Sequence, residues 1–398
     1  MMNAKSLGAV HTHTHTHTHT DSLENKKGIT LVALVVTIVV LLILAGVSIN
    51  LVLGENGLIT KAQEAKRKSH EESIKEQADM ALASYQLEKA KNGEDTSLDG
   101  NKIENLEIIE ENPSEDVKFI AKADDRIIIM KSDGTSIVTK ENLVRNGFVT
   151  NGNENFSGTT EKNGVLLFNS GKDHFITSTD YIEIDPSKKY YEGIIAKTNN
   201  TKAFDYIGFV EYDCDKNIID DTKVLYVENS LTFLTKDLND GDTEVYFSDL
   251  NGFKSPNNNY FYNGLIFWNY KDSTGYQYPE QTYSRNVFYD LFDSDGIDLE
   301  NNKITLKKSW KSGKIEKNTK VSQTSRGENH NYGVLEGNLS GNYKLYSNYI
   351  QGINNRGYGN FVKFRNGTKY VRILFRLNYA GLENVSTEVK DIIFAECE

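Results

Sequence analysis

An uncharged run near the amino terminus is the most strongly patterned segment of the chain. Residues 28–54 contain no Asp, Glu, Lys or Arg, and most of them are aliphatic. At about 1.5 Å of rise per residue, a helix of this length measures roughly 40 Å, enough to cross a bilayer. A secretory signal has a shorter apolar core of about 7 to 15 residues. The run therefore predicts a membrane-spanning helix over 29–54.

A second helix and a small sheet are predicted for residues 55–141. Asn56-Gly57 predicts a break after the first helix, and Asn92-Gly93 a stop for the second. Between these signals, apolar residues recur on one helical face, namely at Ile74, Ala78, Ala81, Leu82 and Tyr85. Asp124-Asp125 and Asp133-Gly134 predict turns between the short strands that follow.

Short strand-like runs then continue from residue 142 to the end of the chain. They are separated by turn sequences rich in Asn, Asp and Gly, and no helical periodicity lies between them. Such a pattern is typical of a β-sandwich or barrel. We predict a mainly β protein with a long N-terminal α-helix, in which residues 142–398 form a single antiparallel β-sandwich, a jelly roll.

Composition adds limits on partners and cysteine chemistry. The chain has 22 Tyr and 18 Phe with only 4 Pro, which suits a β-rich core. Its net charge of −11 argues against nucleic acid as a partner, since that affinity comes mostly from neutralised phosphates. Cys214 and Cys397 either pair or remain free thiols. The His-Thr repeat at 11–20 is typical of a tag or a slipped repeat, so no folded structure is predicted for it.

Lys26-Lys27-Gly28, followed by Ile-Thr-Leu-Val and the apolar helix, resembles the processing signal of type IV prepilins and pseudopilins. The likeness covers about residues 24–66 and is greatest to the versions of low-GC Gram-positive bacteria. It implies that a prepilin peptidase removes residues 1–28, cutting after Gly28, and methylates Ile29. It also implies assembly with other pilin subunits, with the protein in the membrane first and at the cell surface afterwards.

One position departs from the prepilin pattern. The family usually has Glu at the fifth mature position, where it neutralises a neighbour's terminal ammonium, but this chain has Ala33. A buried charge without a partner costs several kcal/mol, so ordinary subunit addition is expected to be weakened. The departure favours a minor subunit at the tip over a major shaft subunit.

Several strand sequences resemble the jelly rolls of carbohydrate-binding modules of the galactose-binding-like kind. The pieces that carry the likeness are "NLVRNGF" at 142–148, "YIEIDPSKKYYEGIIAKT" at 181–198, "YIGFVEYDCDKNII" at 206–219, and "KYVRILFRL" with "VKDIIFAE" near the end. The resemblance implies an extracellular glycan as ligand. Jelly rolls of this kind often hold a structural calcium; no other cofactor is predicted.

Enzyme signatures are missing from the sequence. It has no Gly-x-Ser-x-Gly elbow, no phosphate-binding Gly-rich loop and no His-Glu-x-x-His. "DCDKN" at 213–217 begins like a calcium loop, but Ile218 and Val224 stand where Gly and Glu are needed, so a solvated hairpin is predicted. We predict that the protein is not an enzyme.

The segment 267–286, "FWNYKDSTGYQYPEQTYSRN", is the strongest candidate for ligand contact. Aromatic rings with polar rims can stack on sugar faces while neighbouring groups hydrogen-bond the hydroxyls. The alternative is that these rings fill a core or close a barrel mouth. The candidate ligand-binding residues are Trp268, Tyr270, Tyr276, Tyr278, Tyr283 and Arg285.

Together these patterns predict a minor type IV pilin or pseudopilin-like surface protein with an adhesive, glycan-binding β-sandwich head. The first alternative is a single-pass membrane-anchored surface domain that does not polymerise and serves as a spacer. A third hypothesis is a cell-wall glycan hydrolase, whose carboxylates would come from Asp173, Glu183 and Asp185.

Overall fold

The computed structural model describes residues 31–53, 57–92, 106–170, 173–256, 262–325, 330–354 and 362–397. The predicted leader, the His-Thr repeat and the processing residues Gly28 and Ile29 lie outside these ranges. The chain forms two compact units, Met1–His70 and Glu71–Glu398.

Helix α1 spans Leu31–Leu53 and consists almost entirely of aliphatic residues. The side chains described in α1 are those of residues 34–45, and all of them are exposed; Leu42, for example, retains 68% of its accessible surface. Across the described ranges, no helix has both the length and the apolar character needed to cross a membrane.

Helix α2, Leu58–Asn92, ends at the stop that Asn92-Gly93 predicts. In the second compact unit its Ile74 is buried in a cluster with Phe119, Ile128 and Met130 of a four-stranded antiparallel sheet. The strands of this sheet are β1 Glu107–Ser114, β2 Val117–Ala123, β3 Arg126–Lys131 and β4 Ser136–Lys140. The two predicted turns are confirmed, since Asp124 and Gly134 take positive φ angles of 52° and 86° between paired strands.

Nineteen further strands, β5 to β23, follow within the ranges that the structure describes, in three groups. The first group comprises β5 Thr160–Lys162, β6 Val165–Ser170, β7 His174–Thr177, β8 Ile182–Glu183, β9 Lys189–Thr198 and β10 Asp205–Tyr212. The second comprises β11 Thr232–Phe233, β12 Glu244–Tyr246, β13 Leu265–Phe267, β14 Val287–Phe288, β15 Ile297–Asp298, β16 Lys303–Thr305 and β17 Lys320–Gln323. The third comprises β18 Asn331–Gly337, β19 Lys344–Gln351, β20 Ile353–Asn354, β21 Phe364–Arg365, β22 Tyr370–Leu377 and β23 Val385–Cys397.

Except for β20 and β21, which form a separate parallel pair, the strands of the first and third groups build two antiparallel sheets that share one core. One sheet has the order β19-β9-β23-β6-β5, and the other β18-β10-β22-β7, with β8 also paired to β22. Alternate residues of each strand point inward, as the two-residue period of a strand requires. Phe168, Ile194 and Phe394 of one sheet meet Phe209 and Phe375 of the other. The prediction of a mainly β protein built from antiparallel sheets is confirmed.

The β1–β4 sheet is covered on both of its faces. Ile74 lies against one face, while Ile127 and Ile129 on the other face share a cluster with Tyr191 and Ile195 of β9. Burial on both faces explains why β3 reads as a continuous apolar run instead of an alternating one. This sheet therefore shares part of its core with β9.

Residues 219–325, here called the insert, lie between β10 and β18 and have a core of their own. Their strands form the sheets β11-β17-β13-β14 and β12-β16-β15. The buried side chains of the insert include Leu234, Phe247, Leu265, Phe267, Phe292, Ile304 and Trp310. The insert strands pair with neither sandwich sheet, so the strands of 142–398 do not form one single sandwich.

Candidate functional site

The aromatic segment 267–286 is mostly a packing element of the insert. Trp268, Tyr270 and Tyr283 retain only 5%, 8% and 1% of their accessible surface. The Trp268 indole Nε1 donates a hydrogen bond to Ser322 Oγ at 2.9 Å. Of the predicted rings, Tyr276 is 55% exposed and Tyr278 is half-buried. For Trp268, Tyr270 and Tyr283, burial supports the alternative that the rings fill a core. Ligand contact stays a prediction for Tyr276 and Tyr278.

Contacts between Arg285 and the turn at 213–217 join this segment to the sandwich. The Arg285 guanidinium lies 4.3 Å from the centre of the Tyr270 ring and donates to Asp215 Oδ2 at 2.5 Å. Asp213 is buried; its Oδ1 accepts the backbone N–H groups of Asp215 and Asn217 at 2.9 Å. Hydrogen bonds, first from Ser273 and then from Arg285, lower the pKa of Asp215. The turn predicted to be a solvated hairpin is a hairpin, but its first carboxylate is buried.

The cysteines do not pair. Cys214 is half-buried with its Sγ 3.8 Å from Ser273 Oγ, while Cys397 is buried at the end of β23. Burial raises the pKa of the Cys397 thiol to about 12, so it is protonated at neutral pH. The free-thiol alternative is the one confirmed.

A row of outward-pointing side chains crosses the β18-β10-β22-β7 sheet. Phe175 of β7 is in register with Arg376 of β22, Arg376 with Tyr206 of β10, and Tyr206 with Glu336 of β18. These four residues are called the cross-strand row. Neighbouring strands lie about 4.8 Å apart, so the row extends over roughly 15 Å. Phe175 is 46% exposed and Glu336 is also exposed.

Further aromatic rings extend this row into a continuous surface. Ring centres are separated by 5.1 Å between Phe175 and His330, 5.6 Å between His330 and Tyr332, and 4.4 Å between Tyr332 and Tyr206. Tyr379 meets the Tyr206 ring edge-on at 5.3 Å and is 48% exposed. The two ends of this series, Phe175 and Tyr379, thus present about half of their surface to solvent.

The charge at the centre of the row is held in place. Arg376 bonds Asp173 through two nitrogens, with Nε–Oδ2 and Nη2–Oδ2 distances of 3.1 and 2.7 Å, and this contact raises the Arg376 pKa. Its guanidinium also lies 4.4 Å from the centre of the Tyr379 ring. Burial, with the nearby charges of Arg376 and Arg365, lowers the pKa of His330 to about 4. At neutral pH the surface therefore combines uncharged rings with the Arg376–Asp173 ion pair and the exposed Glu336.

The sequence contains a signal for this surface in the alternation of two strands. In "YIGFVEY" and "YVRILFR", the residues on the face away from the sandwich core include Tyr206, Tyr370, Arg372 and Arg376, which are half-buried, while Tyr212 on the same face is buried. Partly exposed Tyr and Arg side chains on one face of a sheet are typical of contact surfaces. The register that aligns Phe175 with Arg376 joins residues about two hundred positions apart and could not be read from either segment.

The three carboxylates considered for a hydrolase lie in separate local contacts. Asp173 bonds Arg376, Glu183 pairs with Lys369 at 2.7 Å, and Asp185 accepts from the Ser187 hydroxyl at 2.7 Å. Within the described ranges, no three His, Cys, Asp or Glu side chains group as ligands for a metal ion. A structural calcium remains a prediction.

No protein-family model matches this chain, and no curated protein matches it either. The function must therefore be inferred from the sequence patterns and the geometry.

Proposed function

We propose that this protein is a minor type IV pilin or pseudopilin-like surface protein whose β-sandwich head, a jelly roll in this proposal, binds glycans. The observation that carries the binding part is the cross-strand row together with Tyr379, because the half-exposed rings of Phe175 and Tyr379 both lie beside the fixed Arg376. Large rings exposed on the face of a sheet lose contact with water when a ligand stacks on them, which favours binding.

A sugar ring has both an apolar face and polar hydroxyl groups, and this surface offers partners for each. Its C–H groups form an apolar face that can stack on Phe175 or Tyr379, while its hydroxyls lie at the rim. Arg376, oriented by Asp173, can donate to those hydroxyl oxygens, and Glu336 can accept from them. Because Asp173 and the packed rings already fix the guanidinium, little side-chain entropy is lost on binding.

The display part of the proposal rests on the amino-terminal sequence. Lys26-Lys27-Gly28-Ile29 and the uncharged run that follows support removal of residues 1–28, methylation of Ile29, and passage from the membrane to the cell surface. The partners in this proposal are the prepilin peptidase, other pilin subunits and an extracellular glycan. Ala33 in place of the usual Glu supports a position at the tip.

A glycan array probed with the full chain in detergent tests the binding. The double variant Phe175→Ala with Tyr379→Ala is expected to lose binding to every glycan on the array that the unmodified protein binds. Tyr349→Ala is the matched control, because Tyr349 is a 42% exposed ring on β19 of the opposite sheet. If Tyr276→Ala abolishes binding and the double variant does not, the site is the 267–286 segment. If no glycan binds, the spacer alternative is favoured.

Mass spectrometry of the mature amino terminus tests the display. N-methylated Ile29 in protein isolated from the cell surface is the expected result. An intact leader would contradict the pilin proposal and favour the single-pass membrane anchor, whatever the array shows.

A further inference from the structure

The insert contains a cleft that the cross-strand row does not involve. Its volume is about 670 Å³, and two segments line it, residues 288–291 and residues 308–312. Pockets of roughly 300 to 1,000 Å³ are the usual size for small ligands. Phe288 and Trp310 meet here with ring centres 4.7 Å apart, and Tyr289 is 49% exposed.

Hydrogen bonds fix both segments that form the cleft. The Lys307 N–H donates to the Leu291 carbonyl at 2.8 Å, which joins one segment to the other. The Trp310 N–H donates to the Asp242 carbonyl at 2.8 Å, and its indole Nε1 to the Gly313 carbonyl at 2.5 Å. The Gly313 N–H donates in turn to Asp240 Oδ1 at 2.9 Å. Backbone and side-chain hydrogen bonds therefore hold both segments of the cleft in place.

Two lysines, Lys308 and Lys311, and one carboxylate, Asp290, line the cleft. Lys307 is engaged by Asp290 and Asp293, with Nζ–Oδ1 distances of 2.6 and 2.8 Å. Lys308 and Lys311 have no carboxylate within 4.0 Å in the described part of the chain, and both are exposed. The Ser309 and Ser312 hydroxyls line the same cleft. In a chain of net charge −11, two exposed ammonium groups beside aromatic rings, neither paired with a carboxylate of the described residues, can attract an anion.

We propose that this cleft binds an anionic saccharide, a sugar unit that carries a carboxylate or a phosphate group. Lys308 and Lys311 neutralise the anion, and Ser309 and Ser312 donate hydrogen bonds to it. The sugar ring stacks against Tyr289 at the rim of the cleft. The choice of a saccharide rests on the proposed function, whereas the requirement for a negative charge rests on the two lysines alone.

Isothermal titration calorimetry of the full chain in detergent tests the proposal. The probes are trigalacturonate and glucose 6-phosphate, with maltotriose as a neutral sugar and inorganic phosphate as an anion without a sugar. We expect at least one anionic sugar to bind more tightly than maltotriose and than phosphate, and its affinity to fall as salt is raised. The two anionic probes distinguish a carboxylate from a phosphate as the recognised group.

Paired variants locate the site. Lys308→Gln with Lys311→Gln is expected to weaken the anionic probe about tenfold, since two exposed charge contacts are lost. Lys317→Gln with Lys344→Gln removes the same charge from exposed positions outside the cleft and is expected to have no effect. Three results would overturn the proposal: the same loss of affinity in both double variants, tight binding of maltotriose at the cleft, or no binding of either anionic sugar. The Phe175 and Tyr379 double variant should retain the anionic probe, so failure of the cross-strand row and failure of the cleft are distinguishable.

Discussion

The Tyr283 hydroxyl donates a hydrogen bond to Asp213 Oδ2 at 2.8 Å, although the two residues are 70 positions apart. Tyr283 belongs to the insert, and Asp213 to the turn that follows the sandwich strand β10. Both side chains are buried, and the same carboxylate oxygen lies 3.3 Å from Arg285 Nε. This contact is therefore one of the points at which the insert is attached to the sandwich.

Tyr283→Phe is expected to lower the free energy of unfolding by about 1 to 3 kcal/mol, because it leaves a buried carboxylate without one of its donors while keeping the ring. Urea unfolding followed by tyrosine and tryptophan fluorescence measures the change. Tyr276→Phe is the matched control, since Tyr276 is 55% exposed and its loss of a hydroxyl should have little effect. Equal midpoints for Tyr283→Phe and the unmodified protein would show that the hydrogen bond does not stabilise this junction.

Gly367→Ala is expected to destabilise the same junction from the sandwich side. Gly367 has a φ of +88°, and an added Cβ would lie 3.1 Å from the Tyr283 ring. We expect a loss of more than about 1 kcal/mol, since positive φ alone already disfavours Ala. Gly164→Ala separates the two effects, because Gly164 has a φ of +75° but open space around its Cβ position. A cost equal to that of Gly164→Ala would mean that the Tyr283 ring moves aside freely.

Local signals in the sequence predicted local structure well, and contacts between distant segments poorly. The end of α2 and the turns at Asp124 and Gly134 follow from two or three adjacent residues, and the structure has them. The role of Tyr283 depends on its contact with Asp213, which no short segment contains. An aromatic residue beside polar neighbours has the same sequence pattern whether its ring faces water or, like Tyr283, a buried carboxylate.

The position of the insert was missed for a related physical reason. Strands such as β13 and β17 are short apolar or mixed runs next to polar and turn residues, as several sandwich strands are, so the sequence shows no break between the two sets. What separates the insert is which strands exchange hydrogen bonds: Leu265 pairs with Gln323, and neither β13 nor β17 pairs with β10 or β18. Strand partners are set by tertiary packing, which the hydrophobic pattern specifies only as inward or outward.

Arg365→Met is expected to destabilise the protein strongly. The Arg365 guanidinium is buried between two buried carboxylates, Glu211 of β10 and Asp221 of the insert, and its Nε donates to Asp221 Oδ1 at 2.6 Å. Removing the cation leaves two negative charges in the interior, at a cost of about 3 to 5 kcal/mol. Arg145→Met is the control, because Arg145 pairs with Glu154 and Asp180 at the surface, where solvent screens the charges, and its loss should cost far less than that of Arg365. Similar thermal midpoints for the two variants would contradict this prediction.

Glu192 should make the stability of the sandwich depend on pH. Its side chain is fully buried on the inner side of β9, between Tyr190 and Ile194, and neither carboxyl oxygen has a hydrogen-bond partner among the described residues. Burial raises its pKa from 4.5 to about 8, so the folded protein holds a proton that the unfolded chain releases. The stabilisation linked to this proton is complete below pH 4.5 and is lost as the pH rises to about 8, at about 1.4 kcal/mol per pH unit.

Glu192→Gln removes this titration while keeping the size of the side chain. Urea midpoints of the variant and the unmodified protein should be similar near pH 5, and the variant should be the more stable at pH 9, because its amide never has to ionise in the core. Glu336→Gln is the matched control, since Glu336 is exposed on the opposite sheet and should shift neither midpoint. The prediction would be contradicted if the difference in urea midpoint between Glu192→Gln and the unmodified protein stayed the same from pH 5 to pH 9. Such a result would mean that burial does not raise the pKa of Glu192.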